Sequence, residues 1–298
     1  MVLTRRLMVL TRRFGIMNLV LRIRNERVLW QIEGIERYTP GGTSITDSER
    51  LSAFPTLCGL AAHDDSIFKR FRSCEVLVEA LDHVSLEQGH QYLCEIQKMS
   101  TWSLEFSKAL AQLDAVGNPR KYRFADYGTI SPTLLRYLKV YLDLNRLFGP
   151  MDGKRISEIG IGFGGQAGLI SILDRPASYN LFDIPPVLEL TKKYLRSIAV
   201  NGNFEALDGR APKIVETDLV ISNYAFSELT REIQEQYLKN VIMRSKMGYI
   251  TWNDLSQTQL GGYSLAELIR RIPDSEVIPE TPLTAVSNAI LTWNTTKN

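Results

Sequence analysis

The sequence predicts an α/β fold in which a Rossmann-like, seven-stranded sheet follows a helical N-terminal region. From residue 151 onward, short apolar runs alternate with helical patterns. This alternation is typical of parallel strands, because each parallel neighbour needs a crossover connection. The last two apolar runs, 275–278 and 288–293, have no helical pattern between them and predict an antiparallel pair at one edge of the sheet. Residues 1–150 show helical periodicity without convincing strand alternation.

Helical spacing in the N-terminal half predicts helices over 67–81, over 86–99 and after Ser100. The best-defined helix of this half starts after Ser131. That serine is a typical N-cap, a proline occupies the first helical position, and a Gly-Pro pair ends the helix after residue 148. Because its surface is broadly apolar, we expect this helix to be buried between two parts of the protein.

The C-terminal half supplies the strands and crossovers of the sheet. The predicted strands are 155–160, 179–182, 204–207, 218–222, 248–252, 275–278 and 288–293, and the predicted helices are 165–174, 186–200, 228–245 and 264–272. Only residues 209–216 follow the third strand, and they leave no room for a full helix. We therefore expect a reduced crossover there.

The composition excludes several classes of protein. Apolar residues make up 44% and charged residues 23%, as in ordinary folded proteins, and the net charge of +2 argues against a nucleic-acid partner. A membrane span needs about 18 uncharged apolar residues, and none of the apolar stretches reaches that length. Cys58, Cys74 and Cys94 are too few and too widely spaced for a disulfide framework or a structural zinc site. A cytoplasmic location is the simplest expectation.

Basic residues are concentrated at the N-terminus. Residues 1–30 carry seven arginines against one glutamate, and they open with a near-exact tandem heptad. Two interpretations are open: a flexible or partly helical leader, or a basic helix that touches a membrane surface. We therefore expect a basic leader over residues 1–36, a helical cap or dimerisation region over 37–150, and a sheet domain over 151–298.

The strongest local signal is a glycine-rich turn between the first strand and its helix. Glu158 is followed by glycines at 160, 162, 164 and 165, which allow a sharp turn and a close approach of the backbone to a ligand. The second strand ends at Asp183, about 20 residues further on, where a carboxylate can accept hydrogen bonds from ribose hydroxyls. These features predict a nucleoside-containing cofactor.

The same glycines also fit a dinucleotide-binding pattern, so a nicotinamide-dependent oxidoreductase is an alternative. Glu158 argues against it, because a carboxylate at the strand end suits a cationic amino-acid group better than a pyrophosphate. The second half also lacks a Tyr-x-x-x-Lys pair. A non-catalytic interaction module is a third alternative, but packing alone does not require Glu158, the glycines and Asp183 together.

Five stretches of the sequence resemble a known family. On 158–166, 182–185, 222–229, 248–253 and 131–137, the sequence resembles class I S-adenosylmethionine-dependent methyltransferases, whose first motif reads acidic-x-Gly-x-Gly-x-Gly. Within that superfamily it is similar to sugar O-methyltransferases of bacterial polysaccharide clusters. The resemblance covers residues 117–295 and implies methyl transfer from S-adenosylmethionine to a hydroxyl of a sugar or sugar nucleotide. A methyltransferase for another small molecule is the alternative within the superfamily. A homodimer is also expected. The substrate is expected to lie in the crevice at the carboxyl ends of the strands, with the N-terminal helices forming its other wall.

The resemblance implies a role for each matching residue. Glu158 and the backbone of Gly160 and Gly162 would hold the methionine end of the cofactor, and Asp183 the ribose. The cofactor-binding set further includes Gly164, Gly165, Ile184, Asp208 near the adenine, Ser222 and Asn223 facing the methyl group, and Tyr127 and Ser131 as a lid. Asp208 is equally explained as a turn residue, and Ser131 as a helix cap.

A sugar hydroxyl needs a group that accepts its proton. All three histidines lie in the helical half, so the base is a carboxylate, a tyrosine, a histidine positioned over the site, or a metal-bound group. Glu228 is the first candidate, and its alternative role is to favour the start of the next helix. Asn223 and Asp254 complete the predicted catalytic set. Asn253 and Asp254 could also bind Mg²⁺, although the sequence offers too few carboxylates to favour a metal site.

Overall fold

The computed structural model describes Ser44 and residues 53–294, except the side chain of Ser256. The predicted basic leader, 1–36, and its tandem heptad lie outside the described residues. The helices are α1 (Phe54–His63), α2 (Asp65–Phe68), α3 (Glu75–Leu81), α4 (Leu86–Met99), α5 (Leu104–Leu113), α6 (Pro132–Phe148), α7 (Gly165–Leu173), α8 (Pro185–Ser197), α9 (Arg231–Asn240), α10 (Leu255–Leu260) and α11 (Leu265–Arg271).

Seven strands form one mixed sheet, and two short strands form a separate hairpin. The strands are β1 (Tyr122–Phe124), β2 (Gly128–Ile130), β3 (Arg155–Ile159), β4 (Ser178–Asp183), β5 (Phe204–Asp208), β6 (Thr217–Asn223), β7 (Ser245–Trp252), β8 (Ser275–Pro279) and β9 (Ala289–Trp293). The sheet order is β5-β4-β3-β6-β7-β9-β8. Strands β3 to β7 are parallel, and β9 pairs antiparallel with both β7 and β8. The predicted fold class is confirmed.

The strand order reverses at β3, because the chain adds β4 on one side and β6 on the other. In open α/β sheets, ligands bind at such a switch point, in the crevice beyond the carboxyl ends of the strands. The segment 209–216, between β5 and β6, contains no helix, as predicted. The sheet therefore directs attention to the ends of β3, β4 and β6.

Three local predictions were wrong. The helix predicted over 67–81 is broken into α2, a 3₁₀ turn (Phe71–Ser73) and α3, because the backbone N–H of Arg72 turns away to donate to Gly117 O at 2.9 Å. Residues 122–130 form a hairpin in a half expected to be helical; its three-residue strands are too short to show alternation. The helix expected over 228–245 is the shorter α9, flanked by 3₁₀ turns. In addition, helix α10 was not predicted.

The helices before β3 and the sheet share one hydrophobic core. It contains Phe71 and Leu113 from the N-terminal part together with Ile156 and Leu219 from the sheet, all of them fully buried. Helix α6 packs against both α4 and α7 and is buried along most of its length, as expected. Within the described ranges, none of the helices is long and apolar enough to cross a membrane.

A buried arginine ties the N-terminal helices to the start of α6. The Arg72 guanidinium forms ion pairs with Asp82 at 2.8 Å and Asp114 at 3.0 Å, and it donates to Ser131 Oγ at 3.0 Å. All four side chains are excluded from solvent. Because charges are held here by partners from separate segments, this cluster fixes where α6 begins.

Candidate functional site

The loop between β3 and α7 has a backbone that only glycine adopts without strain. Gly160, Gly162 and Gly164 have φ values of +76°, +56° and +92°. A Cβ on Gly160 would lie 2.0 Å from the Cβ of Ala225, so this position also has no room for a side chain. The glycines predicted from the sequence therefore form a left-handed loop pressed against the turn that follows β6.

Asp183, at the end of β4, holds this loop in place. Its carboxyl oxygens accept hydrogen bonds from the backbone N–H of Gly162 at 3.0 Å and of Ile184 at 2.8 Å. Burial raises the pKa of Asp183 to about 7, although these backbone donors oppose the shift. A carboxyl with two fixed donors and a raised pKa is suited to bind further donors from a ligand.

Glu158 is the second carboxyl at this end of the sheet. It is only 2% exposed, and the Tyr179 hydroxyl donates to it at 2.6 Å. Burial raises the pKa of Glu158 to about 8, and the nearby Asp183 adds to the shift. Throughout residues 53–294, neither carboxyl has a lysine, arginine or histidine within ion-pair distance. The two carboxyls therefore form an acidic site without a cation.

Both carboxyls line an open crevice that encloses about 1150 Å³ of space, part of it continuous with solvent. The sequence-predicted residues that line it are Glu158, Gly160, Gly162, Asp183, Ile184, Asn223 and Glu228. The opposite wall comes from the N-terminal helices and their connections, and includes Phe54, Ala80, Leu81, His83, Arg136 and Tyr137. The crevice thus lies between the carboxyl ends of the strands and the helical part of the same chain.

Glu228 lies in the 3₁₀ turn (Ala225–Glu228) that follows β6. Asn253 Nδ2 donates to its Oε1 at 2.9 Å, and burial raises the pKa of Glu228. Asn223, at the end of β6, has a buried amide nitrogen that finds no hydrogen-bond partner among the described residues. A proton acceptor and an amide donor therefore both face the crevice.

The other predicted site residues lie outside the crevice lining. Ser222 Oγ donates to Ile159 O and accepts from Phe226 N, both at 3.0 Å, so it joins β3 to the next turn. Asp254 accepts a hydrogen bond from the Trp252 indole at 2.9 Å, and Tyr127 accepts one from Gln97 at 2.6 Å. Asp208 forms an ion pair with Arg210 at 2.6 Å. Gly164 packs against Thr191, and Gly165 packs against Tyr137.

Ser131 occupies the N-cap position of α6 but its side chain does not cap the helix, which corrects the sequence-based interpretation. Its Oγ donates instead to Asp114 at 2.7 Å and accepts from Arg72. The buried ion pairs compete for the serine hydroxyl, and hydrogen bonds to charged groups are the stronger ones.

His83 and Arg136 were not predicted as site residues. Arg136 Nη1 lies 3.4 Å from His83 Nε2; a guanidinium only donates, so Nε2 accepts and the proton of the neutral ring is on Nδ1. Partial loss of hydration, together with the charge of Arg136, lowers the pKa of His83, although the residue is exposed at the crevice. The only hint of Arg136 in the sequence was a charged residue in a broadly apolar helix. Nothing in the sequence pointed to His83, which reaches the crevice through tertiary packing.

In the part of the chain that is described, no group of three or more His, Cys, Asp or Glu side chains is arranged to hold a metal ion.

Sheet order and crevice define a Rossmann-like α/β fold whose crevice lies at the switch point of the strand order. No protein-family model matches the chain, and no curated protein matches its sequence. Solved structures similar to it include magnesium protoporphyrin IX methyltransferase from Synechocystis PCC 6803 with bound SAH (12% identity, 72% of this chain and 97% of that one, TM-score 0.42). An rRNA methylase from Streptococcus thermophilus shares 13% identity over 53% of this chain and 96% of that one, with a TM-score of 0.39. Mitomycin 7-O-methyltransferase MmcR shares 16% identity over 56% of this chain, which spans about half (55%) of MmcR, with a TM-score of 0.41.

Proposed function

We propose that this protein is an S-adenosylmethionine-dependent O-methyltransferase that acts on a hydroxyl of a sugar or sugar nucleotide. The observation that carries the proposal is the pair of buried carboxyls, Glu158 and Asp183, beside the left-handed glycine loop. No cation among the described residues pairs with either. A cofactor that carries an ammonium and a sulfonium group supplies the missing positive charge. A dinucleotide would bring its negative pyrophosphate to the same place, so the oxidoreductase alternative is disfavoured.

The residues fit such a cofactor in chemistry. Glu158 would bind the ammonium group, and the backbone at Gly160 and Gly162 would approach the amino-acid end closely, since neither position has a side chain. Asp183 and Ile184 would bind the ribose, because each Asp183 oxygen that accepts one backbone N–H retains a second lone pair. When bound, the cofactor supplies an electrophilic methyl group. Asp208, paired with Arg210, would remain near the adenine end.

For the chemical step the protein aligns the acceptor hydroxyl and removes its proton. Glu228 is the base in this proposal, with Asn253 orienting its carboxyl. The raised pKa brings Glu228 closer to neutrality, which improves a general base. His83 is less suited, because its Nε2 already faces Arg136 and its lowered pKa makes it a weak base.

Calorimetry with S-adenosylhomocysteine and with NADPH tests the cofactor assignment. We expect saturable binding of S-adenosylhomocysteine and no measurable binding of NADPH. Binding of NADPH alone would overturn the proposal and restore the oxidoreductase. Asp183→Ala should lose S-adenosylhomocysteine while circular dichroism stays that of the wild type.

A second assay identifies the acceptor class. The protein is incubated with S-adenosylmethionine and panels of free sugars, sugar nucleotides and oligosaccharides, and formation of S-adenosylhomocysteine is measured. Turnover with one of these panels supports the sugar assignment, whereas turnover with non-sugar small molecules alone would replace it. The expected homodimer remains a prediction, and sedimentation of the full chain measures it.

A further inference from the structure

We infer that the acceptor carries an anionic group, a carboxylate or a phosphate, and that Arg136 and Asn223 bind it. This inference rests on the proposed function and adds the charge of the substrate to it. It depends on the part of the crevice wall that Arg136 and Asn223 line, beside a small recess with room for about one water molecule. Arg136, Asn223 and Tyr224 line both spaces, whereas no residue of the loop 160–165 is among the described residues that line the recess.

Arg136 is a buried cation without a counter-charge. Its side chain projects from α6, the residue is 8% exposed, and its Nε has no hydrogen-bond partner among the described residues. Its guanidinium contacts two neutral side chains: His83 at 3.4 Å and Tyr137, whose ring centre lies 5.3 Å away. No carboxylate of the described chain lies within ion-pair distance of Arg136. Burying such a charge is costly unless a ligand supplies the partner.

The other charged groups around the recess are already paired. Lys139 forms an ion pair with Asp143 at 2.6 Å, and Asp143 also accepts from the Tyr249 hydroxyl at 2.9 Å. Glu280 accepts from the Tyr224 hydroxyl and from the backbone and hydroxyl of Thr284. The partners of Glu280 are neutral donors, and Glu280 does not lie within ion-pair distance of Arg136, so it forms no salt bridge with the guanidinium.

The groups that remain without partners are donors. Besides Arg136 Nε, the amide nitrogen of Asn223 is buried and lacks a hydrogen-bond partner within the described part of the chain. A planar guanidinium and an amide N–H can bind the oxygens of a carboxylate or a phosphate together. The crevice thus has two carboxyls beside the glycine loop and, on its opposite wall, an arginine without an ion-pair partner among the described residues.

Calorimetry on protein saturated with S-adenosylhomocysteine tests the inference. The probes are glucuronate, glucose 1-phosphate and neutral glucose, so that carboxylate and phosphate are distinguished. At least one anionic sugar should bind about tenfold more tightly than glucose to the wild type, because hydrogen bonds to charged groups are the strong ones. Arg136→Gln should lose this preference and keep its affinity for S-adenosylhomocysteine.

The matched control is Arg231→Gln, which removes the same charge from an exposed arginine that pairs with Glu267 away from the crevice. It should retain the anion preference of the wild type. Arg136→Lys keeps the positive charge but loses the planar guanidinium group, so it should weaken anion binding several-fold. This variant serves as the test if Arg136→Gln does not fold.

Three results would overturn the inference: equal binding of the three sugars by the wild type, an anion preference that survives in the Arg136 variants, or a tenfold loss of S-adenosylhomocysteine affinity in those variants. The last result would assign Arg136 to the carboxylate of the cofactor. Failure of the wild type to bind S-adenosylhomocysteine would count against the proposed function itself, so the two failures are distinguishable.

Discussion

In the proposed function, Glu158 links cofactor binding to proton release. With its pKa raised to about 8 in the free protein, the carboxyl is mostly protonated at neutral pH. A cationic ligand binds the ionised form, so it must displace that proton. Asp183, with a pKa raised to about 7, adds a second group that ionises in the same range.

We therefore predict that affinity for S-adenosylhomocysteine rises between pH 6 and pH 8 and levels off above pH 8. For one coupled proton the rise is at most about tenfold per pH unit. Glu158→Gln, which still accepts from Tyr179, should bind more weakly and with a shallower pH dependence. Calorimetry in buffers of different ionisation enthalpy measures the protons released, and Glu216→Gln, an exposed carboxyl 80% accessible, is the control.

The same residue makes a prediction about folding stability. The unfolded chain ionises Glu158 near the ordinary carboxyl pKa, while the folded protein retains the proton up to about pH 8. Stability is therefore lost as the pH rises from about 4.5 towards 8. In urea denaturation without ligand, Glu158→Gln should be more stable than the wild type at pH 8, by about 1 kcal/mol or more, and the difference should vanish below about pH 4. An unchanged difference across this range would show that the carboxyl is not buried as described.

The positions of single residues were predicted well where a backbone motif fixes them, and their roles in binding stay predictions. Glu158, the glycines and Asp183 follow from their places at the ends of β3 and β4. Ser131, by contrast, was assigned from a local capping rule that a buried ion pair overrides. Arg136 and His83 could not be assigned, because their role depends on which part of the chain faces them across the crevice.

At the scale of elements, the glycine loop gives a direct steric test. A Cβ at Gly160 would overlap Ala225 in a backbone with φ of +76°, whereas Gly153 has a similar φ of +69° and open space around it. We predict that Gly160→Ala abolishes S-adenosylhomocysteine binding. Gly153→Ala should bind S-adenosylhomocysteine normally and lose only about 1–2 kcal/mol of folding stability, because of strain in the left-handed backbone. Equal effects of the two substitutions would mean that close packing of the loop is not needed.

Periodicity predicted most accurately the elements that bury a full face against their neighbours. Helix α4 and the strands of the sheet lie where the pattern placed them, because each buries a full face against its neighbours. The helix expected over 67–81 is interrupted by contacts with other parts of the chain. The Arg72 backbone donates to Gly117 O, and the Arg72 side chain pairs with Asp82 and Asp114. A sequence pattern of apolar residues does not record such a partner.

For the whole molecule, the Arg72 cluster is expected to hold the N-terminal helices against the start of α6. We predict that Arg72→Met destabilises the protein by about 3–5 kcal/mol, because it leaves Asp82 and Asp114 buried without their cation. Arg155→Met, which removes a partly exposed ion pair with Asp218, should cost about 1 kcal/mol or less. Denaturant titration of both variants checks the ratio, and similar losses would argue against the cluster as the main connection.

The position of Arg136 on α6 has an evolutionary consequence. The acidic end of the site is encoded by β3 and β4, whereas the basic end depends on a helix that precedes the sheet. If the proposed function holds, a lineage could exchange one acceptor molecule for another by altering a single turn of α6, without disturbing the strands that hold the methyl donor.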